Sequence, residues 1–263
     1  MEFLISIFTL QAVGYYVTVR CSPGCIVNIL GDMPDQLQNR IRELGFPDIL
    51  SFKCDGIDDR ALAMYLMNHI KDDPLHIEIK GKSLPITPQV VHDVVGTPIG
   101  GLDFPIKDFK ERQQALSALR RQCDDKGMKD LFAQAAEGKE KAANEDEGAN
   151  KTAKKKGREI SKRYDKLAKN DVPRWVIEKF ASSKQADDWT VKCFFLLLSN
   201  ALLFPRTSNN ISGFDCIRCN DLDDMKRYDW SKAVVDDIRE KAKDWKKKGA
   251  NASSPALQGY HQT

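Results

Sequence analysis

Seven cysteines and a cluster of aspartates are the residues here whose types and spacing could do chemistry. Cys21-x3-Cys25 and Cys216-x2-Cys219 are spaced like two half-sites for zinc, an ion that wants four thiolate or imidazole ligands in a tetrahedron. The halves lie at opposite ends of the chain and no histidine follows either at ligand spacing, so all four read as incidental. Cys54 and Cys193 sit in apolar runs, where a thiol behaves as a small buried hydrophobe. Asp221, Asp223 and Asp224 invite a metal-dependent phosphoryl-transfer reading. Such centres need carboxylates converging from several elements, whereas acids at the start of one helix suit its dipole. Of the four histidines, His69, His76 and His92 are dispersed and His261 stands in the tail, so no Cys–His dyad is legible. His69 reads as a packed or rim histidine. Gly100-Gly101 lacks the Lys-Ser/Thr of a phosphate loop and reads as a turn. No nucleophile elbow, dinucleotide fingerprint, metalloprotease helix or kinase signature occurs. The expectation is therefore a chain that binds rather than catalyses, with no catalytic residue, metal, cofactor or small-molecule substrate.

One basic run is left: Lys154, Lys155, Lys156 and Arg158, continued by Lys162 and Arg163. A cluster of this kind on a polar segment serves as a nuclear localisation signal or a phosphate contact. No groove-reading motif accompanies it. The totals add little, because 41 basic and 38 acidic residues leave +3 on 263 residues, too weak a field to name a partner. At 41% hydrophobic and 30% charged, the chain is globular in composition. It is not a collagen-like repeat, a disulfide miniprotein or a multi-span membrane protein.

The elements that must carry these residues are mostly helices. Ser22-Pro23 is a capping hydroxyl followed by proline at the first helical position. A second helix runs from Asp35 to about Leu44, with Leu37, Ile41 and Leu44 on one face and Gly45 as C-cap. Asp58-Asp59 opens a third, whose Leu62, Tyr65, Leu66, His69 and Ile70 share a face. Residues 76–86 alternate about Gly81-Lys82 as a β-hairpin. Thr87-Pro88 starts a helix that Gly96 closes, and Thr97 to Gly101 leaves helix altogether. Residues 106–137 are helical with Phe109, Leu116, Leu119, Cys123, Leu131 and Phe132 as apolar members, broken near Gly127. Residues 138–157 hold no large hydrophobic residue and read as a charged linker. Pro173-Arg174-Trp175 begins a helix. Val191 to Phe204 is apolar on all sides yet shorter than a membrane span, which suits a central core helix. After an Asn/Ser/Gly loop and the three aspartates, a closing helix carries Ala233, Val234, Ile238, Ala242 and Trp245 and ends at Gly249. Phe3 to Val19 reads as a buried segment or a stray upstream exon in preference to a signal or anchor, and its residue content also suits strands.

Several stretches together resemble the plant mobile domain, often labelled "aminotransferase-like", of transposable elements and genes derived from them. The resemblance rests on Cys21-Ser22-Pro23, Arg42 to Phe46 with Ile49-Leu50, and Leu62…Tyr65-Leu66-Met67. Its most specific block is Thr87-Pro88…Gly96-x-Pro98-x-Gly100-Gly101. It extends to Phe194 to Pro205 and to Asp221…Tyr228-x-Trp230 with Ala233-Val234. It implies structural roles for Thr87, Pro88, Gly96, Pro98, Gly100, Gly101 and Trp230, and no transaminase activity, since the Schiff-base lysine and pyridinium partner of such enzymes have no counterpart. It implies one mainly α domain over residues 20–249, holding one small hairpin and interrupted by a charged disordered insert at 138–157. An unassigned segment (1–19) precedes it and a disordered tail (250–263) follows. Tyr260 stands where the family's next helix has a cysteine, which reads as a truncated fragment. The implied function is a non-enzymatic protein- or chromatin-interaction module in the nucleus, or else in the cytoplasm, with Trp175 and Trp230 as contact candidates unless they are core. The alternatives are a nucleic-acid-binding accessory protein of the element and the non-catalytic part of a Ulp1-type cysteine protease gene. A membrane partner is not expected.

Overall fold

A computed structural model describes residues 10–13, 16–19, 22–54, 56, 60–145, 159–160, 162–206 and 208–251. The chain is mainly helical, as expected, and its centre is the helix α8 (Asp188–Leu198), where every residue from Cys193 to Leu198 is buried. Asp187 caps it by accepting from Thr190 N at 2.8 Å. An apolar surface on all sides must be covered from all sides. The cover comes from α1 (Pro23–Gly31), α2 (Asp35–Glu43) and α7 (Arg174–Ala181), while α10 (Trp230–Asn251) meets the far end of the apolar run, where Trp230 packs on Phe204. The apolar run does not stay α-helical to Phe204: Ser199–Leu203 widens into a π-turn closed by Phe204 N donating to Ser199 O at 2.7 Å.

Around this centre lie β1 (Leu10–Val13) and β2 (Tyr16–Val19), an antiparallel pair with Leu10 opposite Val19. The strand option for this apolar segment therefore holds over these residues. Next come α3 (Arg60–His69), β3 (Ile70–Asp72), β4 (Leu75–Ile79), β5 (Lys82–Pro85) and α4 (Pro88–Val95). They are followed by α5 (Phe109–Asp125), α6 (Met128–Glu145), helical residues 162–166, and α9 (Gly213–Arg218) beyond the core helix. Among the described residues no helix is long and apolar enough to cross a membrane.

Several expectations hold closely. At the end of α2, Phe46 N donates to Ile41 O and Gly45 N to Arg42 O, the paired bonds of a Schellman motif that satisfy the last carbonyls. Thr87 Oγ1 accepts from Val90 N at the start of α4, and Gly96 closes the helix with φ +79°. Gly127 separates α5 from α6. Cys54 and Cys193 are buried.

Others are corrected. Ser22 makes no side-chain cap; its N–H instead donates to Ala201 O at 3.0 Å, tying α1 to the π-turn. The inward face of α3 is Ala63, Leu66 and Met67, while Leu62 and Tyr65 are exposed and Tyr65 stacks on His69. The hairpin is a three-stranded antiparallel sheet, β3-β4-β5, because Ile70 leaves the helix and pairs with Ile77. Pro74 follows too closely for the helix to continue past it. Phe109 is exposed. Helix α6 runs through Glu145, eight residues into the stretch read as a linker, and α10 passes Gly249 to Asn251. The Asn/Ser/Gly loop contains α9, opened by a reciprocal capping box between Ser212 and Asp215. Cys21, Asp58-Asp59, residues 146–157 and residues 252–263 lie outside the described residues.

The Thr97–Gly101 block docks on the start of α10. Ser231 N donates to Pro98 O at 3.0 Å, Gly100 N to Asp229 Oδ2 at 3.0 Å, and the Thr97 and Ser231 hydroxyls bond at 2.9 Å. Leu102 and Tyr228 form an isolated parallel bridge. This docking buries Trp230 completely, edge-on to Phe46 and Phe104, with Nε1 donating to Met225 O at 3.0 Å. Gly101 sits at φ +108°, and a Cβ there would stand 2.4 Å from Arg227 O. Gly100 has φ +82° but open space around it.

A polar network fills the wide end of the core helix. Asp215 takes Ser199 Oγ at 2.7 Å on one carboxylate oxygen, and Asn200 Nδ2, Ser212 N and Ser212 Oγ at 2.7–2.9 Å on the other. Arg174 Nε donates to Asn200 Oδ1 at 2.7 Å. All of Arg174, Ser199, Asn200 and Asp215 are buried.

Two consequences are measurable by urea unfolding. Gly100→Ala should cost about 1 kcal/mol, the strain of a left-handed alanine. Gly101→Ala should cost at least about 3 kcal/mol, because strain and a backbone collision add; equal losses would refute the docking geometry. Asp215→Ala should cost about 3 kcal/mol by removing the acceptor of four hydrogen bonds, two of them from the buried Ser199 and Asn200, beside Arg174. A loss near 1 kcal/mol would reduce Asp215 to a helix cap.

Candidate functional site

The N-terminal half of the chain supplies a helix, α5, with a polar face from Lys110 to Arg121. In α5, the Asp108 carboxylate accepts from Glu111 N at 2.8 Å and Glu111 Oε2 accepts from Asp108 N at 3.0 Å, a capping box that fixes the entry of the chain. From there Lys110, Gln113, Gln114, Ser117, Arg120 and Arg121 recur at intervals of three and four. Side chains at this spacing line one face of a helix, and Leu119 and Cys123 point to the core from the other.

The polar face of α5 and the loop residues Lys169 and Asn170 enclose an open groove of about 620 Å³. Arg120 builds its floor. The guanidinium holds Asp124 at 3.0 Å through Nε and donates to Asp171 O at 2.8 Å through Nη1. Tyr164 lies under it, with the guanidinium 5.2 Å from the ring centroid, and gives its hydroxyl to Asp124 at 3.0 Å. Burial, and then that bond to the carboxylate, raises the phenol's pKa and keeps it a donor. Asn170 Nδ2 donates to Gln113 Oε1 at 3.3 Å across the groove.

Arg120 is neutralised by Asp124. Lys110, Arg121 and Lys169 are exposed and make no ion pair among the described residues. Lys162, Arg163 and Lys166 are likewise exposed and unpaired on the helical turn leading to Lys169, with Asp165 the one acid among residues 162–166. Lys162 and Arg163, the end of the predicted basic run, thus stand on the helical turn just before Lys169 and Asn170 and do not line the groove itself. Lys154, Lys155, Lys156 and Arg158 lie outside the described residues. The α5 cations were not singled out from the sequence, although their helical spacing was there to be read.

The other predicted residues lie elsewhere. Thr87, Pro88, Gly96, Pro98, Gly100, Gly101 and Trp230 belong to the α4 cap and the buried dock, not to the groove. Trp175 is half-buried, edge-on to Phe132 at 4.7 Å. Among the described residues no group of three or more His, Cys, Asp or Glu could hold a metal. Asp223 and Asp224 are engaged by Arg40 and Arg227 at 3.0 and 2.9 Å. Burial pushes the Cys25 thiol up to about 11 and Cys123 up to about 12, and raises Cys193, Cys216 and Cys219 as well. Such thiols are poor nucleophiles at neutral pH. A cleft of about 370 Å³ runs past Ser51, Asp93 and His92; His92 Nδ1 is held by Thr97 O at 2.8 Å, and no hydrogen bond joins the histidine to Ser51.

This arrangement can neutralise a row of negative charges and hydrogen-bond to them through neutral amides, which is the chemistry of phosphate contact. No curated protein and no solved structure matches the chain. A family model does, over residues 19–146 and 134–260, so the chain belongs to the family described as a domain of unknown function, DUF8566.

Proposed function

We propose that this chain is a non-catalytic binding module of the plant mobile type, derived from a transposable element, that works on chromatin in the nucleus by contacting nucleic-acid phosphates. The observation that carries the reading is the set of cations on one groove, Lys110, Arg121 and Lys169, that make no ion pair among the described residues; Lys162, Arg163 and Lys166 are exposed on the segment just before Lys169. The interleaved Gln113, Gln114 and Ser117 supply the neutral donors that position a backbone without reading sequence. The basic run from Lys154 to Arg158 adds four cations to the sequence shortly before Lys162 and Arg163. A face of this kind takes strands with little sequence preference, and its affinity depends on counterion release. The resemblance of Thr87 to Gly101, and of Asp221 to Trp230, supports the transposon-derived, plant mobile part of the reading.

The test is the salt dependence of duplex binding by the full chain. Log affinity should fall steeply with log salt, at about 0.9 per phosphate neutralised. Replacing Lys110, Arg121 and Lys169 with alanine should flatten the slope by about 3, and replacing Lys154, Lys155, Lys156 and Arg158 by about 4. A flat response in the unaltered protein would sink the reading. A steep slope untouched by the groove substitutions would move the contact off this face.

A further inference from the structure

A second group of cations lies apart from the groove, and it contains buried donors. Pro205 ends the core run and Arg206 is the next residue; Arg218 is the last residue of α9; Arg112 belongs to α5. Gly213 brings α9 against α5 so closely that a Cβ there would stand 2.6 Å from Arg112 O. The three guanidiniums gather on two rings. Arg218 lies 3.6 Å from the Phe204 centroid, and Arg112 and Arg206 lie 4.1 and 4.5 Å from that of Phe214. Phe214 itself is 37% exposed.

Stacking on a ring uses a guanidinium's face and leaves its edge of N–H donors unserved. Arg206 Nε and Arg218 Nη1 are both buried and have no hydrogen-bond partner among the described residues. None of the three arginines makes an ion pair among the described residues. The nearby acids are already engaged: Asp237 by Lys241 at 2.7 Å, and both oxygens of Asp215 by Ser199, Asn200 and Ser212. Burial lowers the pKa of Arg218, Asp215 and Asp237 oppose that, and the charge of Arg206 adds to it. Two neighbouring guanidiniums whose buried donors lack hydrogen-bond partners are costly in a low-dielectric setting, even with the charges of Asp215 and Asp237 nearby. An anion with several acceptor oxygens relieves both the missing hydrogen bonds and the like-charge repulsion, and Arg forks suit phosphate geometry.

We infer that Arg206 and Arg218, walled by Phe204 and Phe214 and joined by Arg112, form a binding site for a phosphate group. It stands independently of the groove, since Lys110, Arg121 and Lys169 take no part in it. The phosphate is either free inorganic phosphate or a phosphate of a bound strand.

Thermal unfolding of the full chain in sodium phosphate, against sodium chloride at matched ionic strength, tests the site. Phosphate at ten times its Kd should raise the Tm by about 3–5 °C. R206Q should fold and lose that increment, and R112Q should reduce it. R218Q strips a packed side chain from Phe204 and can fail to fold, so R206Q and R112Q are the deciding variants. Equal Tm values in phosphate and chloride, or an R206Q protein that responds like the unaltered one, would overturn the inference. Competition then identifies the source. Release of bound inorganic phosphate by a duplex in K110A/R121A/K169A supports a strand phosphate, and retention supports the free ion.

Discussion

An α-helix that is apolar on every side has no face to offer water, and this constraint organises the fold. Helix α8 and the π-turn after it carry Cys193 to Phe204 without one exposed residue. At about 25 cal/mol per Å² of apolar surface, leaving any side of it wet is unaffordable in a chain whose net stability is a few kcal/mol. Helices α1, α2, α7 and α10 are amphipathic or short because each has only one side of this rod to cover. Phe46 meets Phe195 at 4.7 Å from one direction, and Trp230 meets Phe46 and Phe104 from another. The small sheet and α3 sit outside that first layer.

Enclosure creates a second requirement at the rod's end. The π-turn places Ser199 and Asn200, two polar side chains, where no water reaches. Asp215 and Arg174 answer them from α9 and α7, with opposite charges linked through the Asn200 amide rather than in direct contact. A buried charge linked in this way specifies which helix packs at that end more than it stabilises the packing. The same arrangement sets the position of Arg218, three residues after Asp215 on α9. Its guanidinium is thereby delivered onto Phe204 with no acid left to pair with it. The unpaired arginines are a by-product of how the core is closed.

Legibility in the sequence followed the range of the interactions. Helix α4 could be read from Thr87-Pro88 and Gly96, and the end of α2 from Gly45, because caps are written within a few residues. The core helix was legible because Val191 to Phe204 is apolar nearly all round and too short to span a membrane; its π-turn at Ser199–Leu203 was not. The inward face of α3 was misread, since Tyr65 and Leu62 satisfy the spacing as well as Ala63 and Met67 do; only the neighbours decide which is inside. Helix α9 hid in a loop-like composition, although Ser212-x-x-Asp215 is the spacing of a capping box. Asp215 had no readable role, because all but one of its partners arrive from the π-turn. The groove was missed for the opposite reason. The apolar members of α5 drew the reading away from Lys110 and Arg121 on its polar face, and Lys169 lies far along the chain and meets them only when α5 packs beside the segment after residue 162.

The near-neutral total conceals how the charges are arranged. Along α10, Lys232 and Arg239 share Asp236, Lys241 holds Asp237 and Lys243 holds Glu240. These contacts at three and four residues cancel charge within a single helix. On α5 only Lys107–Glu111 and Arg120–Asp124 cancel in this way, and the remaining cations face an open groove or the rings of Phe204 and Phe214. Charge that a helix neutralises internally is silent toward partners, because within a Debye length of about 8 Å opposite signs offset each other. Charge left unpaired on one face is not. Among the described residues, a near-neutral total is therefore compatible with a self-neutralised helix at α10 and a face of α5 whose cations are left uncompensated.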